Sequence, residues 1–316
     1  MARKKIGRLL AWIVTLGLLA FLVHRSSPRE LLQAVRHAAP WTVPALAALL
    51  LPVYLADSLA IWKTFGWFLV RLSLVEVLVV RGASYLLAFV NYALGQGALL
   101  YFVQRSRGVP VRRGAAVVLL VMGVTVLLLL LVTTIGLFIV PDVPPVIRII
   151  VKAAYAGLFV YVLALVTRPR WLTSRPIFDV LLSAGVSGHL KALGARIPHL
   201  LSLILFSYTS LRGFGVEVPF AYAVVCLPLV YFVGVLPISA FGLGTVQGIM
   251  VLLFKRFAPG APATQEAIIV ASSLTAQAVA IGMQALIGLA CLRNHLARDL
   301  AAPDPTDVAA PSPSSP

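Results

Sequence analysis

The charged residues of this chain are few, and they separate long apolar runs. Of its 316 residues, 60% are hydrophobic and 11% are charged, and the mean hydropathy is +0.99. Soluble domains carry about 25% charged residues. A helix of about 20 apolar residues can cross the hydrocarbon core of a bilayer. The sequence therefore predicts an all-α, polytopic membrane helix bundle with no room for a soluble catalytic domain.

The apolar runs divide the chain into a transmembrane domain, 1–296, and a disordered tail rich in Pro, Ser and Ala, 297–316. A short helix over about 27–40 is predicted to lie in the headgroup region, because Ser27 and Pro28 suit a helix start. The polar segment of about 168–196 is predicted to be a cytoplasmic loop. We expect about six full spans, over 9–23, 41–61, 114–140, 146–166, 197–211 and 267–292.

Two further apolar segments, 72–102 and 219–254, are interrupted by polar residues, glycine and proline. These residues are poor choices for a lipid-facing helix. We interpret both segments as broken or re-entrant helical hairpins, one in each half of the chain. Corresponding broken segments in two halves are typical of inverted-repeat transporters. The interruptions include Arg81, Asn91, Gly95-Gln96-Gly97, Pro237 and Gly242-Leu243-Gly244.

The charge of the chain is strongly positive, with 26 Lys and Arg against 10 Asp and Glu. In a soluble protein this excess would indicate nucleic-acid binding. Here most of the basic residues fall in short segments between apolar runs, where they set membrane orientation. We therefore expect no nucleic-acid partner. The predicted location is a bacterial-type inner membrane, with multiple passes and both termini in the cytoplasm.

The residues at the two breaks resemble a known family. Segment 237–247 reads PISAFGLGTVQ and segment 91–98 reads NYALGQGA. Both are similar to the breaks in the transmembrane, flippase-like region of lysylphosphatidylglycerol synthases. The resemblance covers most of the chain and implies a stand-alone lipid translocase without the soluble synthase domain. It also implies membrane-lipid partners, either an anionic phospholipid or a polyprenyl-linked lipid.

The chain departs from that family at two acidic positions. Gln247 stands where the family usually has glutamate after Gly-Leu-Gly, and Gly97 and Ala98 stand near the family's first glutamate. A mechanism in which those carboxylates carry protons or bind a cationic headgroup is therefore in question for this chain.

The predicted substrate path consists of polar and small residues at the breaks and on the last span. Arg81 is expected to attract a lipid phosphate or, alternatively, to pair structurally with Asp57 or Glu76. The last span contains one polar stripe at helical spacing, formed by Ser273, Gln277, Gln284 and Gly288. The path residues are Arg81, Asn91, Gly95, Gln96, Gly97, Pro237, Ser239, Gly242, Leu243, Gly244, Gln247, Ser273, Gln277 and Gln284.

Two other function classes remain open at this point. One is a membrane enzyme that modifies a lipid or a lipid-linked sugar, with Glu76 or Asp57 as general base. The other is a non-transporting scaffold that docks a separate synthase or glycosyltransferase on 168–196. The sequence contains no assembled catalytic set and no metal-ligand spacing. We therefore predict no enzymatic activity, no cofactor and no metal.

Overall fold

The computed structural model describes residues 28–90, 92–139, 145–173, 176–235 and 244–301, and the regular structure in these ranges is helical. The prediction of an all-α bundle is confirmed. The α-helices are α1 (Pro28–His37), α2 (Thr42–Phe68), α3 (Leu74–Val90), α4 (Tyr92–Arg107), α5 (Val111–Ile139), α6 (Pro145–Thr167), α7 (Arg170–Thr173), α8 (Pro176–Gly213), α9 (Phe220–Val235), α10 (Thr245–Phe254) and α11 (Pro262–Ala301), with a 3₁₀ turn at Lys255–Phe257.

Within the described ranges, five helices are long and apolar enough to cross a membrane. They are Thr42–Phe68, Val111–Ile139, Arg148–Thr167, Val180–Gly213 and Pro262–Arg293. These helices match five of the predicted spans. The remaining predicted span, 9–23, lies outside the described residues.

The predicted loop over 168–196 is wrong for most of its length. Helix α8 begins at Pro176, bends at Gly185, and continues to Gly213. The shorter span predicted from 197 is therefore the second half of a long helix. Beyond the kink, buried Ala192 and Arg196 lie one helical turn apart, while exposed Lys191 and several serines and glycines lower the average hydropathy of the segment. The segment proposed as a docking loop is thus largely part of the bundle.

The first and last described helices differ slightly from their predicted bounds. Helix α1 covers Pro28–His37, and its Leu31 and Ala34 pack against the main core. Leu32 and Val35 are exposed, as expected for a helix at the membrane interface. Helix α11 continues to Ala301, beyond the predicted boundary at 296, because the chain has no proline between Pro262 and Pro303 to stop it.

Helices α3 and α4 form the first predicted hairpin, which we call hairpin 1. At its base, Glu76 and Arg107 form an ion pair of 2.8 Å. Towards its tip, a Cβ atom at Gly95 would lie 2.8 Å from the Cβ atom of Ala88, so the two arms are in direct contact. The arms contain 17 and 16 residues, or about 25 Å each at 1.5 Å per residue. Each arm is shorter than the roughly 30 Å hydrocarbon core.

Helices α9 and α10 form the second hairpin, hairpin 2. At its base, the Tyr222 hydroxyl donates a hydrogen bond of 3.2 Å to the Leu253 carbonyl, and the Tyr222 ring lies 5.0 Å from that of Phe257. Near its tip, a Cβ atom at Gly234 would lie 3.1 Å from Val246. The arms contain 16 and 10 residues, so neither crosses the hydrocarbon core alone.

The two hairpins open at opposite ends of the bundle. We call the end where α2 finishes end A and the opposite end, where α2 begins, end B. Helix α8 is antiparallel to α2, because Gly213 packs against Thr42 and Gly188 packs against Phe68. The base of hairpin 1 follows α2 directly and lies at end A. The base of hairpin 2 follows α8 and lies at end B.

The two halves repeat the order span, hairpin, span with inverted direction. The first half contains α2, hairpin 1 and α5, and the second contains α8, hairpin 2 and α11. Their packing is reciprocal. Helix α3 of the first half packs on α11 of the second half, and the equivalent helix α9 of the second half packs on α5 of the first. Likewise, the last span of each half packs on the first span of the other half, α5 on α8 and α11 on α2. Helices α2 and α8 contact each other at the centre, as expected for an inverted repeat.

Close packing of α5 on α9 predicts a large effect for a small substitution. A Cβ atom at Gly136 would lie 2.6 Å from the Val225 carbonyl oxygen, whereas one at Gly123 would meet nothing within 4 Å. We expect Gly136→Ala to destabilise the protein by about 1–3 kcal/mol through overpacking. Gly123→Ala on the same helix should be neutral or slightly stabilising. Thermal unfolding in detergent measures both, and equal melting temperatures would contradict this packing.

The opposite openings of the hairpins predict opposite labelling. Ser106, near the base of hairpin 1, and Glu217, near the base of hairpin 2, are both exposed. In a background with Cys226→Ala and Cys291→Ala, Ser106→Cys and Glu217→Cys should react with an impermeant maleimide from different sides of right-side-out and inverted vesicles. Labelling of both positions from one side would reject the inverted arrangement.

Candidate functional site

A buried carboxylate between two arginines lies deep in the bundle. Asp57 Oδ2 accepts a hydrogen bond of 2.6 Å from Arg81 Nε, and Asp57 Oδ1 accepts one from Arg196 Nη1. The Asp57 side chain is 3% exposed, and the Arg81 and Arg196 side chains are 16% and 10% exposed. We call these three residues the arginine–aspartate centre.

The centre forms where elements of both halves meet. Asp57 belongs to α2, Arg81 to hairpin 1 and Arg196 to α8. Along α2, Asp57 is about 22 Å from the first residue and about 16 Å from the last, at 1.5 Å per residue. A charge at this depth is costly unless it is paired. The pairing of Asp57 therefore ties hairpin 1 and α8 to α2.

Neighbouring side chains hold the two guanidinium groups in place. Arg196 Nε donates a hydrogen bond of 2.8 Å to Thr125 Oγ1 on α5. The Arg81 guanidinium lies 5.1 Å from the ring centre of Tyr85, at a distance suited to a cation–π contact. His199 Nδ1 donates a hydrogen bond of 3.2 Å to the Val53 carbonyl, one turn from Asp57. Four helices thus contribute to this polar core.

The tip of hairpin 2 contains a second polar contact, and it uses amides rather than charges. Gly244 has φ of +85°, a conformation that favours glycine. Its N–H donates a hydrogen bond of 2.6 Å to Gln247 Oε1, which caps the start of α10. Gln247 Nε2 donates one of 3.2 Å to Gln277 Oε1 on α11. Gln247 therefore performs the capping that a glutamate at this position would provide, without its charge.

The polar stripe of the last span touches both hairpins. Gln277 contacts hairpin 2 through Gln247. A Cβ atom at Gly288 would lie 2.7 Å from Leu86 of hairpin 1. Ser273 is buried, and Gln284 is half-buried. Helix α11 is therefore a shared packing surface for the two broken elements.

The remaining residues of the predicted path lie in different environments. Gly95 allows close contact between the arms of hairpin 1, while Gln96 and Gly97 are half-buried on α4. The other five lie outside the described residues: Asn91, Pro237, Ser239, Gly242 and Leu243.

Of the two acids considered as partners of Arg81, Asp57 is the one bonded to it. Glu76 instead begins hairpin 1. Its carboxylate accepts a hydrogen bond of 2.7 Å from Ser73 N–H and pairs with Arg107. Although burial opposes the shift, these contacts hold the pKa of Glu76 below its ordinary value. A general base needs a pKa nearer to the operating pH, so this environment does not favour catalysis by Glu76.

A cleft of about 450 Å³ lies between α2 and α8 near end A. It is lined by Trp67, Phe68, Ser183, Ala184, Ser187, Gly188 and Lys191. Trp67 and Lys191 are exposed. Lys191 precedes Arg196 by five residues on α8, a separation of about 7.5 Å along the helix axis. The cleft therefore lies on the end A side of the arginine–aspartate centre, whose three residues do not line it. In the described part of the chain, no three His, Cys, Asp or Glu residues are grouped to hold a metal.

Sequence reasoning missed Arg196 and its partner Thr125. Arg196 was placed at the end of a polar loop, so its burial was not expected. The helical spacing of apolar residues through this segment was the signal that predicts α8. Thr125 lies in an otherwise apolar span, and only the fold identifies it as the acceptor for Arg196.

The charge balance of the centre predicts unequal effects of two matched substitutions. Asp57→Asn leaves two buried guanidinium groups without a carboxylate and should cost about 3–5 kcal/mol of stability. Glu76→Gln changes a more exposed ion pair and should cost about 1 kcal/mol or less. Thermal unfolding of the two variants provides the comparison. An Asp57→Asn protein as stable as Glu76→Gln would mean that the centre does not hold the helices together.

Comparison with known proteins identifies a family that covers most of the chain. Residues 8–288 match the family described as Lysylphosphatidylglycerol synthase TM region. No curated protein and no solved structure matches the chain. The family is related to lipid modification or transport. The match covers most of the chain, and the protein is therefore a multi-pass membrane protein that belongs to the lysylphosphatidylglycerol synthase TM region family.

Proposed function

We propose that this protein is a lipid translocase that moves the headgroup of a phospholipid or isoprenoid-linked lipid across an inner membrane. The observation that carries the proposal is the pair of half-length hairpins that open at opposite ends. Broken helices at membrane depth need protein or a water-filled cavity around their backbone groups. In inverted-repeat transporters such elements surround the substrate site near the midplane.

The contacts of the hairpin arms support a shared path. The tip of hairpin 2 reaches α11 through Gln247 and Gln277, and hairpin 1 reaches α11 through Leu86 and Gly288. Both hairpins therefore contact one helix, hairpin 2 through amide groups and hairpin 1 through close apolar packing. A headgroup would pass along this side of the bundle while its acyl chains stay in the lipid. Small movements of either hairpin against α11 would open the path to one end.

The distribution of charge supports a cytoplasmic position for end A. Exposed basic residues crowd this end, whereas Glu76 is the acid with a described side chain there. Cytoplasmic segments carry an excess of Lys and Arg. These basic residues would also attract anionic headgroups towards the cleft at Lys191. The exposed basic residues at end A are Lys63, Arg71, Arg105, Arg107, Arg112, Arg113, Arg168 and Arg170.

The direct test is lipid translocation by the purified protein in proteoliposomes. A fluorescent phosphatidylglycerol analogue is distributed over both leaflets, and a membrane-impermeant quencher is added outside. Without translocation about half of the label is quenched, since the inner leaflet is protected. The proposal expects quenching well beyond that fraction with protein present. Quenching equal to that in empty liposomes, with each lipid class tested, would reject it.

A reversible cross-link tests whether hairpin 1 must move against α11. A Cβ atom at Gly82 would lie 3.0 Å from the Cβ atom of Cys291, slightly closer than in a disulfide, so a small shift would allow the bond. Oxidised Gly82→Cys should form this disulfide and lose translocation, and reduction should restore it. Gly82→Ser adds a side chain of similar size without the cross-link and serves as control. Full transport by the cross-linked protein would show that this movement is not required.

A further inference from the structure

The arginine–aspartate centre carries more positive than negative charge. Two guanidinium groups converge on the single carboxylate of Asp57. Within the described part of the chain, the other titratable groups that interact with members of the centre are His199, Tyr85 and Tyr54, and none of these supplies a second carboxylate. Among the acids with described side chains, the remaining four lie towards the helix ends. They are Glu30, Glu76, Glu217 and Glu266.

A net positive charge in a medium of low dielectric strongly favours an additional anion. The planar guanidinium group is suited to phosphate, because its donors can make two parallel hydrogen bonds to phosphate oxygens. Asp57 keeps the two groups together when no substrate is present. A phosphodiester with one negative charge would bring the centre to neutrality without removing Asp57.

We propose that Arg81 and Arg196 bind the phosphate of a lipid whose headgroup carries no ammonium group, with Asp57 as the resident counter-ion. The inference rests on the proposed function and specifies its substrate class. Phosphatidylglycerol supplies such a phosphodiester, and polyprenyl phosphate offers the same phosphate oxygens on a monoester that carries additional negative charge. Selection is by charge, and it acts at residues of both halves of the inverted repeat.

The same charges disfavour a cationic headgroup. An ammonium group near the centre would face two arginines. At the tip of hairpin 2 it would meet the amides of Gln247 and Gln277 instead of a carboxylate. Placing charges of the same sign as the ligand at a site is a means of excluding that ligand. A phosphatidylglycerol that carries a lysyl ester should therefore be a poor substrate.

Binding is tested first on the purified protein in neutral detergent. Native mass spectrometry measures competition among short-chain phosphatidylglycerol, its lysyl ester and phosphatidylcholine, with polyprenyl phosphate and inorganic phosphate in separate arms. We expect the phosphatidylglycerol and polyprenyl phosphate complexes to exceed those of the lysyl ester and phosphatidylcholine at least tenfold. Equal binding of all lipids, or preference for the lysyl ester, would overturn the proposal. Tight binding of inorganic phosphate alone would also overturn it, because the site would not then select a lipid.

Two matched variants assign the selectivity to the centre. Arg196→Gln leaves the Asp57–Arg81 pair electrically neutral, so we expect a folded protein that loses at least tenfold in affinity for phosphatidylglycerol while its phosphatidylcholine binding is unchanged. Arg212→Gln removes an exposed charge from the same helix and should behave as wild type. If Arg196→Gln is poorly folded, Arg81→Gln provides the same change of charge. Retained selectivity in a folded variant of the centre would contradict the assignment.

Translocation assays separate this inference from the proposed function. Selective binding without translocation of any lipid would remove the translocase function and leave the phosphate site. Equal translocation of phosphatidylglycerol, its lysyl ester and phosphatidylcholine would support a translocase and reject selection by the centre.

Discussion

The carboxylate of Asp57 needs a cationic partner because it lies buried in the middle of a membrane helix. Arg81 and Arg196 provide that partner from hairpin 1 and α8. Neither contact is local in sequence, so the centre forms only when the two halves have packed together. Thr125 extends the network to α5. The polar interaction at the crossing of α2 and α8 thus fixes the relative positions of the elements on which the inverted repeat depends.

A second constraint explains the shape of the two hairpins. Backbone groups at membrane depth must find partners within the protein, and each hairpin has arms too short to cross the core. In each half, the first arm of the hairpin packs on the last span of the other half. Both hairpins also meet α11, one at Gly288 and the other at Gln277. We propose that this arrangement forms a substrate path lined by elements of both halves.

The hairpins could be predicted from the sequence because glycine and polar residues cluster within two long apolar runs, whereas an isolated proline such as Pro52 stays inside a continuous helix. Pairing of Arg81 with an acid was also foreseen, although the choice between Asp57 and Glu76 required the fold. The role of Arg196 was missed because average hydropathy is low around Lys191, although the helix continues unbroken from the kink at Gly185 to Gly213. The excess charge of the centre depends on contacts between distant helices, which local patterns do not encode.

The account predicts where the phosphate of a bound lipid will lie. An experimental structure of the protein in nanodiscs that contain phosphatidylglycerol is the most direct test of this position. We predict density for a phosphate within hydrogen-bonding distance of both the Arg81 and Arg196 guanidinium groups, with Asp57 still beside them. Lipid phosphate found only at the membrane surface, with no access from either hairpin to the arginine–aspartate centre, would contradict the central claim.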